Sequence, residues 1–262
     1  MQRPLVFNLA IFLLLLGWSL LPGVLRGWAM LPLWIACTAL VFTGSFEAAR
    51  LRRRVWLDQY LLAASPWHRV LRGGSVMIAW HLLIGALLSL FMLIKLQSLA
   101  VALWVVLALG LPLIAWLLRS LSGRLQKHVL PQARPALVRR FTVPLAVCVL
   151  TALYLVVTLS LGQPDVRGLN WDSAVTQHLQ QSSSQFAPLR FLERLYMMLE
   201  LTLQWALQNA LGGTERNGGL AVVGWSLLLL SGSAFIWAYV RLMVGVDALF
   251  SQRRGASLQE LS

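Results

Sequence analysis

Six stretches of this chain are each about twenty residues long and almost wholly apolar: residues 5–24, 28–46, 74–94, 99–118, 142–161 and 220–240. The hydrocarbon core of a bilayer is about 30 Å thick, and a helix needs roughly 20 apolar residues to cross it. Inside that core there is no water to pair with the backbone, so a crossing segment must be a helix or part of a closed barrel. The runs are continuous and do not alternate, which selects helices. The sequence therefore predicts an all-α, polytopic membrane protein with six transmembrane helices plus amphipathic helices at the interface, in a single transmembrane domain over residues 1–262. Composition excludes the other classes. Hydrophobic residues make up 58% of the chain and charged residues 12%, against about 25% charged in an ordinary soluble domain. A soluble enzyme, a nucleic-acid-binding domain and a disordered chain are all ruled out on that ground.

The net charge of +13 has to be read by position, because basic residues of membrane proteins gather in cytoplasmic loops. Arg50, Arg52, Arg53, Arg54, Arg69 and Arg72 lie between the second and third runs, and Arg119, Arg124, Lys127, Arg134, Arg139 and Arg140 between the fourth and fifth. With Arg3, Arg241, Arg253 and Arg254, one side carries 16 basic residues, and the other carries 6. The expected arrangement is a multi-pass protein of the cytoplasmic (inner) membrane with both termini, including the tail 243–262, in the cytoplasm. The first run, behind Arg3, also fits a signal peptide. Its length and the lack of a small-x-small cleavage site near Gly23 to Trp28 argue that it is kept as a span. Eight tryptophans, Trp28, Trp34, Trp56, Trp67, Trp80, Trp104, Trp116 and Trp225, fall mostly near run ends, as an interfacial belt would.

Two segments between runs are amphipathic. In the cytoplasmic loop 47–73, Trp56, Leu57, Tyr60, Leu61 and Ala64 recur at helical spacing beside an arginine cluster, and Ser65-Pro66 breaks the pattern. A basic amphipathic helix of this kind either lies on anionic lipid headgroups or docks a cytoplasmic partner. In the outer-side connection 162–219, Asp172 or Ser173 is placed to cap a helix running to about Gln181. Pro188 starts a longer helix that Gly212-Gly213 ends. Its polar stripe is Arg190, Glu193, Arg194, Glu200, Gln204 and Gln208. Its apolar face is Leu189, Leu192, Leu195, Tyr196, Leu199, Leu203, Ala206 and Ala210. The charges make it a poor span, so it is expected to lie on the outer surface of the membrane or dip in part-way, packed on the other spans, with the apolar face buried and the polar stripe accessible to water.

The runs are poor in chemistry. His81 is the one intramembrane histidine and is expected to be neutral and hydrogen-bonded between helices. Lys95 stands at the outer edge, where it can snorkel. No run contains a carboxylate, which argues against a proton-coupled transporter. The four histidines do not cluster, and the G-x-S-x-G, H-E-x-x-H and P-loop patterns are missing from the sequence. No catalytic residue, metal site or cofactor is assigned, and the chain is not expected to be an enzyme. Cys37 and Cys148 lie inside apolar runs and form no disulfide framework. The small-residue face Ser231-Gly232-Ser233-Ala234 with Ala238 permits close helix approach, either to a neighbouring span or to a second copy.

Residues 46–88 resemble the region between the second and third spans of six-helix ATP-binding-cassette exporter permeases. The matching residues are Glu47, then Leu57, Leu61, Leu62, Pro66, Arg69, Leu71 and Gly73, on a pattern of roughly L-x-x-L-L-x-x-P-x-x-R/W-x-x-L. That family also has outer-side re-entrant helices between spans five and six, where residues 188–211 fall. The resemblance implies a permease subunit working with a separate cytoplasmic ATPase, docked through Leu57, Leu61, Leu62, Pro66 and Arg69, as a homodimer or hetero-oligomer. The alternative is a non-transporting membrane anchor or assembly subunit of a larger bacterial envelope complex.

Overall fold

Each apolar run folds as a helix, as the backbone-pairing argument requires, and the helices end at identifiable residues. The computed structural model describes residues 3–60, 74–129, 134–161, 170–173, 176, 187–212 and 218–259. In chain order the helices are α1 (Arg3–Ser19), α2 (Gly23–Tyr60), α3 (Ser75–Gln97), α4 (Val101–Leu125), α5 (Arg134–Ser160), α6 (Ala187–Gly212) and α7 (Gly218–Gln259). No strand occurs among the described residues. Five stretches are long and apolar enough to cross a membrane: Gly23–Arg50, Ser75–Gln97, Val101–Leu125, Arg134–Ser160 and Gly224–Leu249.

The first run is shorter than the sequence suggested. α1 stops at Ser19, because Pro22 disfavours helix at Leu21 before it. Seventeen residues reach only about 26 Å at 1.5 Å per residue. Two hydrogen bonds close the turn that follows: Arg26 N–H donates to Pro22 O at 2.9 Å and Trp18 Nε1 to Arg26 O at 3.2 Å.

α2 departs in the other direction. A loop was expected from Glu47, yet the helix runs on to Tyr60 without a break. Alanine, leucine, arginine and glutamate dominate residues 47–54, and all are good helix formers. The first breaker in the sequence is Ser65-Pro66. Arg53 Nη1 meets Met77 Sδ of α3 at 3.8 Å and ties this extension to the bundle.

α7 is the central helix and touches each of the other six. Phe235, Ile236, Ala238, Tyr239, Val240, Leu242 and Met243 on it are wholly buried. Around it α2 packs on α3 and α4 on α5. Small and polar residues line the contacts, as expected where lipid removes the hydrophobic drive between helices. Thr38 Oγ1 and Ser89 Oγ lie 2.7 Å apart between α2 and α3, and a Cβ on Gly85 would stand 3.5 Å from Thr38 O. The Tyr239 hydroxyl donates to Leu107 O at 2.9 Å, one residue before the carbonyl that Pro112 leaves without a donor.

The closest backbone approach is elsewhere than the sequence suggested. A Cβ on Gly44 of α2 would meet Gly245 Cα of α7 at 2.8 Å, and one on Gly245 would collide with the Leu40 carbonyl oxygen. A Cβ on Gly232, in the expected small-residue face, would meet side chains of α5 rather than backbone, the Tyr154 ring at 3.4 Å and Leu155 at 3.7 Å. Away from α7 the surface is apolar: Leu13, Leu31, Leu83, Leu87, Val105, Leu109 and Val149 are exposed. An apolar surface of that extent needs lipid or protein against it. Trp28, Trp80 and Trp116 are exposed as a belt would have them, while Trp104 is buried in the core against Phe12.

Candidate functional site

The expected docking residues fall largely outside the described structure. Leu57 lies on the extension of α2, with its side chain outside the described set, and Leu61, Leu62, Pro66 and Arg69 are outside it altogether. His81 is part-exposed on α3, with its ring edge-on to Phe46 of α2 at 6.4 Å. Among the described residues no group of three or more His, Cys, Asp or Glu side chains is placed to hold a metal ion.

α6 has close to the expected length, and its two faces are sorted only in part as the spacing suggested. Phe191, Leu195, Met198 and Leu199 are exposed, Leu199 at 47%, while Arg190, Glu193, Glu200, Gln204 and Gln208 are half-buried. Tyr196, Leu201, Leu203 and Ala206 are buried. α6 packs mainly on α7 and lightly on α3. The expected apolar face is thus buried at Tyr196, Leu203 and Ala206 and exposed at Leu195 and Leu199, while the polar stripe is half-buried except at Arg194, which is exposed. The shorter helix before it is already helical at Trp171, so Asp172 and Ser173 lie inside it rather than at its cap. Trp171 Nε1 donates to Thr202 Oγ1 of α6 at 3.1 Å.

The polar chemistry of the bundle centres on two buried cations, and the sequence reading placed neither inside. Arg139, read as a loop residue, is 5% exposed near the start of α5. Its Nη1 donates to Glu47 Oε2 of α2 at 2.7 Å, and its Nε lies 3.5 Å from Asp247 Oδ2 of α7. One guanidinium thus joins three helices. The fork geometry of arginine suits it to serve two carboxylates at once.

Lys95, read as snorkelling outward, is 6% exposed and turned inward. Its Nζ is 3.4 Å from Ser231 Oγ. Three rings surround it, with centroids at 5.1 Å for Tyr154, 5.5 Å for Phe235 and 5.9 Å for Tyr196. Such cation–π contacts contribute up to about 2 kcal/mol when desolvated. The Tyr196 hydroxyl donates to the Glu200 carboxylate one turn along α6. Arg139 and Tyr154 are fifteen residues apart on one helix, about 22 Å at 1.5 Å per residue. The two cations therefore mark opposite ends of the bundle.

A signal for both existed in the sequence. Lys95 directly follows the third apolar run and Glu47 the second, and Asp247 lies seven residues past the sixth. Comparison with protein families, with curated proteins and with solved structures found no match to this chain.

Proposed function

We propose that this chain is the membrane permease subunit of an ATP-driven exporter, working with a separate ATPase chain in the cytoplasm. One observation carries the reading. α2 continues unbroken for ten residues past Arg50, where its apolar span ends. That is about 15 Å of helix. Leu57 lies on this extension, and a continuous helical arm past the apolar span suits transmission of force from a partner better than a helix lying on headgroups. In this reading α1 completes six crossings, both termini are cytoplasmic, and the arginine-rich side faces the ATPase. Two copies, or this chain with a related one, would enclose the path.

The test is co-purification. Leu61→Asp and Leu62→Asp should abolish capture of an ATPase chain from mild detergent while leaving the protein in the membrane. Capture at the wild-type level would contradict the docking role.

A second reading, a non-transporting anchor or assembly subunit, draws on a different observation. The Gly44–Gly245 contact and the Arg139 pairs fasten α2, α5 and α7 together at one end, which suits a fixed scaffold. Stable capture of envelope proteins with no ATPase would favour it.

A further inference from the structure

The bundle treats its two buried cations in opposite ways. Arg139 meets two carboxylates, whereas Lys95 meets none among the described residues. Three rings and one long hydrogen bond attract the ammonium but supply no counter-charge. An ammonium has three N–H donors, so this one is far from saturated. The Glu200 carboxylate, engaged by the Tyr196 hydroxyl, makes no ion pair with it. Burying an uncompensated charge is costly, and a site that keeps one has room for an anion in its chemistry.

A second group points the same way. Thr151 lies one turn before Tyr154 on α5 and is 8% exposed, and its Oγ1 has no hydrogen-bond partner. A helical threonine ordinarily returns its hydroxyl to the carbonyl a turn earlier. Thr142 and Thr158 on the same helix do so at 2.8 Å. Lys95 and Thr151 thus each keep unused donor capacity, near a helix on which Leu195 and Leu199 are apolar and exposed.

We propose that Lys95 anchors a binding site for the phosphate group of an amphipathic molecule, with the Thr151 hydroxyl as a second donor. Lysine binds phosphate as a compact point charge, and the apolar outer face of α6 offers a surface for acyl or other apolar chains. Tyr196 is the wall that yields on entry. Its ring is the farthest of the three from Nζ, and it rides on α6, which packs only lightly on α3. The shared chemistry has two sources, a bilayer phospholipid or a soluble phosphate compound. The site stands whether or not the chain transports anything.

The full chain, purified in a neutral phosphate-free detergent, tests the site in two arms. Native mass spectrometry counts retained phosphatidylglycerol, and calorimetry of lipid-stripped protein reads binding of glycerol phosphate. Wild type should show binding in at least one arm. Lys95→Met should weaken it about tenfold, the scale of one charge-assisted contact, and Lys95→Arg should retain it. Binding only in the lipid arm identifies a phospholipid, and binding only in the glycerol phosphate arm a soluble phosphate. No binding in either arm, or a Lys95→Met protein that binds like wild type, overturns the proposal. If Lys95→Met does not yield monodisperse protein, Thr151→Val decides, with a roughly threefold loss expected from one hydrogen bond and an unchanged affinity overturning the site.

Discussion

Arg139 is held by two carboxylates at unequal distances, and the inequality is testable. Glu47 accepts at 2.7 Å and is the less exposed of the two, 21% against 28% for Asp247. Glu47→Gln should therefore destabilise the protein in detergent more than Asp247→Asn. Arg139→Met leaves both carboxylates facing an apolar side chain and should cost the most, about 3 kcal/mol on the scale of a broken buried pair. Thermal unfolding of the three variants reads the order, and equal midpoints would contradict it. The glycines give a second ranking. Gly245→Ala drives a methyl into the Leu40 carbonyl, whereas Gly17 and Gly123 have open space. The first should lose about 1–3 kcal/mol, as overpacking does, while the other two gain helix propensity and hold or raise the midpoint. The residue scale was the least legible part of the sequence. Lys95 and Arg139 were visible as charges, but snorkelling and burial differ only in which way a long side chain turns. That is decided by the aromatic partners Tyr154, Tyr196 and Phe235, which come from distant parts of the chain.

The elements were legible in kind and less so at their ends. Runs of twenty apolar residues admit little but helix, and the helices appear where the runs are. Pro22 cut α1 short, and the lack of any Gly or Pro between Glu47 and Tyr60 let α2 run on past its apolar span. For α2 that signal was outweighed by the change in polarity at Glu47, which marks where an apolar run ends rather than where a helix ends. For α6 the 3.6 period was legible and the faces are sorted in part: Tyr196, Leu203 and Ala206 are buried as the spacing suggested, whereas Leu195 and Leu199 are exposed. Amphipathicity says that a helix has two faces, and the surroundings decide which face is turned inward. Nitroxide labels check the orientation. Labels at Phe191, Leu195 and Leu199 should relax with oxygen, which is soluble in lipid, and be shielded from a water-soluble nickel chelate. Labels at Glu193 and Glu200 should be shielded from both. Nickel-accessible leucines would mean that the outer face meets water.

At the scale of the whole molecule, α7 organises the bundle, with α2, α3, α4, α5 and α6 around it and apolar side chains on the outside. The Arg139 end gathers the arginine-rich connections and the α2 extension, and the Lys95 end gathers the α3–α4 turn and α6. Function at either end depends on which faces the cytoplasm, and the proposed orientation, which rests on the positive-inside rule, puts the Arg139 end on that side. The turn at Ser98 and the α4 end at Gln126 are both exposed and lie at opposite ends of α4. Single cysteines at these two positions, with Cys37 and Cys148 replaced by alanine, test the arrangement in intact cells with a membrane-impermeant maleimide. Ser98→Cys should label from outside, and Gln126→Cys only after the membrane is permeabilised. Equal labelling of the two in intact cells, or labelling in the reverse order, would contradict a bundle that crosses the bilayer in this orientation.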